Sequence, residues 1–308
     1  MIPEESFSAK VKKSLLILLS RAIDYAGLFP PAKLSMEEAV KNYANYKASN
    51  YSWMLARFIV PASRLDEFAK CASNYFRSDT STWEISVIAD VQIEDVVELV
   101  EDFNKSYSPY SKCDVLELKT GSTWFIEEVS EIVPKHFTNY FEIPVDGDLA
   151  ELISIIALKG QRAKIRTGGI TEDAFPRTDQ LARFIRTCLA ANVPFKATAG
   201  LHHPLRCKKP LTYEPDAPIG TMFGFLNVFI GAAFARNNIS LQLLQQILEE
   251  QDPKNFAFTD EGIYWCEKYF VSNWYLEQLR QKGIVSFGSC SFEEPVEDLK
   301  DIGLLAND

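Results

Sequence analysis

The chain has 308 residues, 47% hydrophobic and 24% charged, with a formal net charge of −10. This is the balance of a globular protein, and its acidity excludes a general nucleic-acid binder, whose footprint is a basic surface. A local basic pocket for a small anion remains compatible with it, and the length allows one large domain or two smaller ones.

The longest apolar run near the N-terminus, residues 15–19, is too short to span a bilayer and lacks a signal-peptide cleavage pattern. Ser8, Val11, Leu15, Leu18, Leu19 and Ala22 have helical spacing, so residues 8–25 read as one amphipathic helix. A second helical pattern covers residues 35–48. Between them, Pro30 and Pro31 stop a helix and stiffen the link. Residues 1–50 are therefore expected as a helical extension packed over one mouth of the body that follows. The six cysteines are dispersed without a CxxC pair. Reduced thiols in a cytoplasm explain them better than a disulfide framework.

From residue 51 onward, short apolar runs alternate with helical patterns. Strands are predicted at 55–60, 84–89, 115–119, 140–145, 163–166, 195–198, 224–229 and 256–259. Helices are predicted at 64–76, 93–104, 124–133, 149–158, 178–191 and 240–250. Eight such units predict an α/β fold, a (β/α)8 TIM-like barrel over residues 51–308 that forms a single domain with the extension. Residues 222–235 also fit a helix, and an open doubly wound parallel sheet is then the alternative. Residues 285–295, rich in Ser, Gly and Cys, read as a loop.

Charged residues inside apolar barrel strands should face the barrel axis. Arg57, Glu117, Lys119, Glu142, Lys164, Arg166, Lys196, Thr198 and Asn227 are the candidates. Glu117/Lys119, Lys164/Arg166 and Lys196/Thr198 are each two apart, so each pair shares a face. A ring of buried charge is costly to keep, and in this architecture the C-terminal strand ends build the active site. Cations outnumber carboxylates in the set, which suits a carboxylate or phosphate ligand. Arg57, Arg166, Thr167, Gly168, Gly169, Thr198 and His203 are the candidate anion binders, the glycines because they let backbone approach a ligand closely. Lys196, Lys164, Glu142, Glu117 and His202 are the candidate catalytic groups. The alternative to a cofactor-free site is magnesium or another divalent ion on Asp90, Glu117 and Glu142, since oxygen ligands suit that ion.

Lys196-Ala197-Thr198-Ala199-Gly200 resembles the K-x-[ST]-x-G strand of the deoxyribose-phosphate aldolases, and Arg166-Thr167-Gly168-Gly169-Ile170 resembles their Gly-Gly-Ile strand. Here the Gly-Gly segment precedes the lysine strand, the reverse of that family's order, and Arg166 stands where the family has a lysine. The resemblance implies a TIM barrel and a Schiff-base role for Lys196. Residues 24–32, 164–170, 196–204 and 287–292 are similar to a group of uncharacterised bacterial proteins of about this length. That similarity implies a TIM-barrel-like fold and no activity.

The expectation is a cytoplasmic lyase of the aldolase type acting on a small anionic carbonyl or hydroxy compound. Lys196 would be its nucleophile, its pKa lowered by burial and by Arg166 or Lys164. One alternative is a metal-assisted, enolate-forming isomerase or lyase, with Lys164 or Lys196 as base. Another is a barrel that binds a small anion without turnover. Neither nucleic acid nor membrane is expected as a partner, and the sequence leaves the oligomeric state open.

Overall fold

A computed structural model describes residues 11–77 and 81–306. In chain order the barrel part begins with α1 (Lys13–Leu19), β1 (Ile23–Tyr25), α2 (Met36–Lys47), β2 (Leu55–Pro61), α3 (Leu65–Ala72) and β3 (Trp83–Ile88). It continues through α4 (Ile93–Tyr107), β4 (Ser111–Lys119), α5 (Thr123–Ile132), β5 (Thr138–Glu142), α6 (Leu149–Leu158), β6 (Arg162–Arg166), α7 (Thr178–Ala190) and β7 (Phe195–Thr198). A hairpin of β8 (Cys207–Pro210) and β9 (Ile219–Met222) leads into α8 (Phe225–Arg236) and α9 (Leu241–Glu249). A small antiparallel sheet of β10 (Phe256–Phe258), β11 (Gly262–Trp265) and β12 (Tyr269–Ser272) precedes α10 (Asn273–Lys282), β13 (Ile284–Ser289) and α11 (Glu293–Asp301).

Eight parallel strands close the barrel in the order β1-β13-β7-β6-β5-β4-β3-β2. The fold is the expected α/β barrel, but two of its strands come from unexpected places. The helix read over residues 8–25 ends at Leu19 within the described residues, and Arg21 then takes a left-handed φ of +51°. Ile23–Tyr25 therefore turns into the sheet as the first strand, so the N-terminal segment is part of the barrel wall and not only a cover. The stretch read as a loop over residues 285–295 holds the last strand and the start of α11, and β13 zips between β1 and β7.

The strands predicted at 224–229 and 256–259 are not in the barrel. Every residue of α8 except Arg236 is buried, so the segment has no polar face to reveal its helical period. Asn227 thus lies on a helix, where its amide donates to the Ile247 and Glu250 carbonyls. β10 pairs antiparallel with β11, outside the barrel.

Alternation along the strands separates two environments. Outward residues Tyr25, Phe58 and Trp83 pack against Tyr43 of α2 and Phe68 of α3, an edge-rich aromatic cluster. On the opposite side Phe287 of β13 stacks on Phe225 and meets Phe229, both of α8. Inward residues are unusually polar for such a barrel: Asp24, Ser86, Glu117, Glu142, Lys164, Lys196 and Ser286 are all buried. The helices have local reasons to start where they do. Ser35 and Glu38 form a capping box for α2, and Asp148 caps α6. Among the described residues no helix is long and apolar enough to cross a membrane.

Candidate functional site

The polar lumen is an ordered ladder of alternating charge. Register places Lys119 beside Glu142, Glu142 beside Lys164, Lys164 beside Lys196 and Arg166 beside Thr198 on neighbouring strands. At the lower end Asp24 Oδ2 accepts from Ser286 Oγ at 2.7 Å and from Lys196 Nζ at 2.8 Å. Lys196 also donates to Glu117 Oε1 at 2.5 Å, and Ser86 Oγ donates to the same oxygen at 2.6 Å. Glu117 Oε2 faces Lys164 Nζ at 2.8 Å, and Lys164 faces Glu142 Oε2 at 2.9 Å. Arg166 Nε ends the series on Glu142 Oε1 at 3.4 Å. Three acids and three bases balance, which is the condition for holding buried charge at all.

Neighbours set the protonation states. Burial opposes the charge on Lys196, but Asp24 and Glu117 outweigh it and hold the ammonium well above the usual lysine range. Burial likewise opposes Glu117, and Lys164 and Lys196 hold its carboxyl well below the usual range. Glu142 is lowered against burial by Lys164 and then Arg166. The expectation of a lowered Lys196 pKa is therefore reversed, because its nearest charges are carboxylates and not Arg166 or Lys164.

At the C-terminal strand ends a cavity of about 420 Å³ opens over this ladder. Its floor includes Glu117, Glu142 and Lys164, and its rim carries Lys119, Arg166, Thr198 and His202. Ala26 and Phe29–Pro31 cover one side, so the N-terminal link does roof this mouth. Lys196 is 1% exposed and does not line it. The two lysines differ in another way. Lys196 makes directed hydrogen bonds to both carboxylates, whereas the Lys164 contacts have the distances of ion pairs without hydrogen-bond angles. Lys119 is exposed and has no ion-pair partner among the described residues, and the Arg166 side chain is 54% exposed.

Several candidates have other work. Arg57 lies at the opposite end of the lumen, where it pairs with Asp114 at 2.5 Å. Thr167 is buried, and its hydroxyl donates to the Ala199 and Thr198 carbonyls, joining the loops after β6 and β7. Gly168 belongs to the same junction. Gly200 has φ +73°, and a Cβ there would stand 2.9 Å from the Gly168 Cα, so the two loops approach backbone to backbone. Gly169 alone of the Gly pair lines the cavity. His203 is taken up by Asp298 of α11, its Nδ1 lying 2.5 Å from Oδ2.

The oxygen set considered for a divalent ion does not assemble. Asp90 is engaged by the backbone and hydroxyl of Ser63, and Glu117 is held between two ammonium groups. Among the described residues no group of three or more His, Cys, Asp or Glu side chains is arranged to hold a metal.

His202 does face the cavity. Its Nδ1 lies 3.8 Å from Cys290 Sγ and 3.4 Å from Glu294 Oε2. Burial works against its charge, but the Cys290 and Glu294 contacts lift it to about 10. Ser86, Cys290, Glu294 and Tyr213 are not among the sequence candidates for the site. Asp24 and Cys290 follow from the two barrel strands that the sequence hid. The chain matches no protein-family model, no curated protein and no solved structure.

Proposed function

We propose that the protein is a barrel enzyme of the aldolase type, a lyase acting on a small anionic carbonyl or hydroxy compound, with Lys164 in the role first expected of Lys196. One observation carries this reading: Lys164 Nζ sits on the cavity floor between two carboxylates, beneath the cations Arg166 and Lys119. The rim cations suit a carboxylate or phosphate. Glu142 Oε2, 2.9 Å from Nζ, takes the ammonium proton. The freed amine adds to the substrate carbonyl carbon. The oxygen then leaves as water, carrying the proton that Glu142 returns and one of the two left on nitrogen, and the other stays on the iminium. The product iminium has the same charge, in the same place, as the ammonium it replaces, so the ladder stays balanced. When the adjacent carbon–carbon bond breaks, its electron pair flows to the iminium nitrogen, while the hydroxyl on the departing carbon gives its proton to Glu142 and that fragment leaves as a carbonyl compound.

Borohydride reduction of the whole protein, with a small 2-keto acid or a phosphorylated aldehyde present, tests this. Peptide mass mapping is expected to find the reduced adduct on Lys164. An adduct on Lys196 overturns the assignment. No adduct, with calorimetric binding of the same compounds intact, overturns the Schiff base and leaves an anion-binding barrel.

A further inference from the structure

A second reactive group faces the same cavity and has no part in the lysine chemistry. Cys290 follows the last residue of β13, and His202 lies in the loop after the adjacent β7, so neighbouring strand ends bring them together. Both line the cavity. Cys290 Sγ meets His202 Nδ1 at 3.8 Å and the Tyr213 hydroxyl at 3.7 Å. Tyr213 comes from the segment between β8 and β9, and Glu294 from the first turn of α11. His202 is only 7% exposed, yet its Nε2 has no hydrogen-bond partner among the described residues. A buried imidazole with one nitrogen committed to a thiol and the other left open on a cavity wall is placed for proton transfer, not merely for packing.

We propose that Cys290 is the nucleophile of a thiol site on this cavity wall, with His202 as its proton partner, and that the site takes small carboxylates carrying a soft electrophilic carbon. Glu294 and Tyr213 are positioning residues: the first steadies a charged His202, and the second fixes the sulfur. The anion preference comes from Lys119 and Arg166, which border the same space. With a haloacid, the thiol proton passes to His202 and the Sγ–carbon bond forms. The carbon–halogen bond breaks, and halide leaves with its electron pair. Against the cost of burial, Cys290 and Glu294 raise His202 to about 10, so its surroundings favour the imidazolium that this transfer produces. Cys290 is also buried but lines the cavity, whereas Cys113 and Cys188 do not line it, and burial pushes their thiols up.

Competitive alkylation of the intact protein at neutral pH, read by peptide mass mapping, tests the site. Free thiols react faster with iodoacetamide than with iodoacetate. At Cys290 the order is expected to invert, and iodoacetate should label it about tenfold or more faster than the exposed Cys266. Arg166→Ala should restore the ordinary reagent order at Cys290, slowing iodoacetate more than iodoacetamide. His202→Asn should slow both reagents there by about tenfold. Labelling of Cys290 no faster than Cys266 overturns the proposal, as does an unchanged rate in a folded His202→Asn protein. The rate ratio in the unsubstituted chain decides the matter even if that variant does not fold. None of these readings involves Lys164, so this site and the Schiff base can fail separately.

Discussion

The two ends of the barrel lumen carry similar residues and use them differently. At the N-terminal end, around a cavity of about 550 Å³, each of four arginines is occupied, Arg21 by Glu84. Arg57 pairs with Asp114, Arg162 lies over the Tyr140 ring and bonds its hydroxyl, and Arg280 donates to the Ile284, Val285, Ser20 and Arg21 carbonyls. At the C-terminal end the cavity is smaller, but Lys119 has no ion-pair partner among the described residues and Arg166 is half-exposed on two long contacts, to Glu142 and the Gly168 carbonyl. Cavity size therefore does not distinguish a site from a gap. What distinguishes them is whether the polar groups have already satisfied one another.

The sharpest way to break this contrast is in the ladder between the two ends. Glu117→Ala leaves two buried ammonium groups facing a gap. A loss of about 3–5 kcal/mol is expected in reversible urea unfolding, since the group removed is a fully buried partner. A loss near zero would show that the charges do not hold one another. The same carboxylates set an acid limit. Glu117 and Glu142 titrate below their unfolded value of 4.5, so their stabilisation is present above that value and disappears as pH falls through the lower folded ones.

At the C-terminal mouth, Arg166→Ala and Lys119→Ala are each expected to weaken calorimetric binding of inorganic phosphate or a small carboxylate by about tenfold, because each removes a charge-assisted contact. Urea midpoints should barely move. A variant that loses stability but keeps affinity would make the mouth as structural as the other end.

His202 predicts a pH-dependent difference. Unfolded it returns to about 6.5, and folded it titrates near 10. The stability it supplies is full below 6.5 and is lost as pH rises through about 10. The gap in urea midpoint between the unsubstituted protein and His202→Asn should therefore narrow across that range. A gap independent of pH would separate His202 from Glu294.

The smallest effect belongs to the N-terminal end. Arg57→Gln is expected to cost about 1 kcal/mol or less, because its pair with Asp114 is partly hydrated. It should leave anion affinity at the other mouth unchanged. A drop in that affinity would mean the two ends communicate.

Six barrel strands were legible in the sequence because each is a short apolar run between helical patterns, and two of them, with Glu117/Lys119 and Lys164/Arg166, carry charges at alternate positions. The total of eight was right for a partly wrong reason. Ile23–Tyr25 has three residues, too few to show a period against the apolar helix before it. β13 hides because Ser286, Gly288 and Ser289 lower its hydrophobicity, although the small inward residues are what the crowded lumen requires: a Cβ on Gly288 would stand 3.1 Å from Thr198 Oγ1. Missing these strands hid Asp24 and Cys290. Without Asp24 beside it, burial and the cations Arg166 or Lys164 predict a lowered Lys196 pKa. Which lysine meets the cavity depends on depth along the strand, and pattern alone does not report depth.

The adjacency of β1 and β13 also has a bearing on how the molecule is assembled. Half of the ladder can gather early, since Glu117, Glu142 and Lys164 come from consecutive strands. Asp24 and Ser286, by contrast, are 262 positions apart in the chain yet share a hydrogen bond. The sheet cannot close until residues 284–289 are made and inserted between the first strand and β7. Closure therefore waits on the most non-local pairing in the barrel, the slow kind to find. The same late insertion delivers Cys290, so the thiol reaches the cavity only when the wall around it is complete.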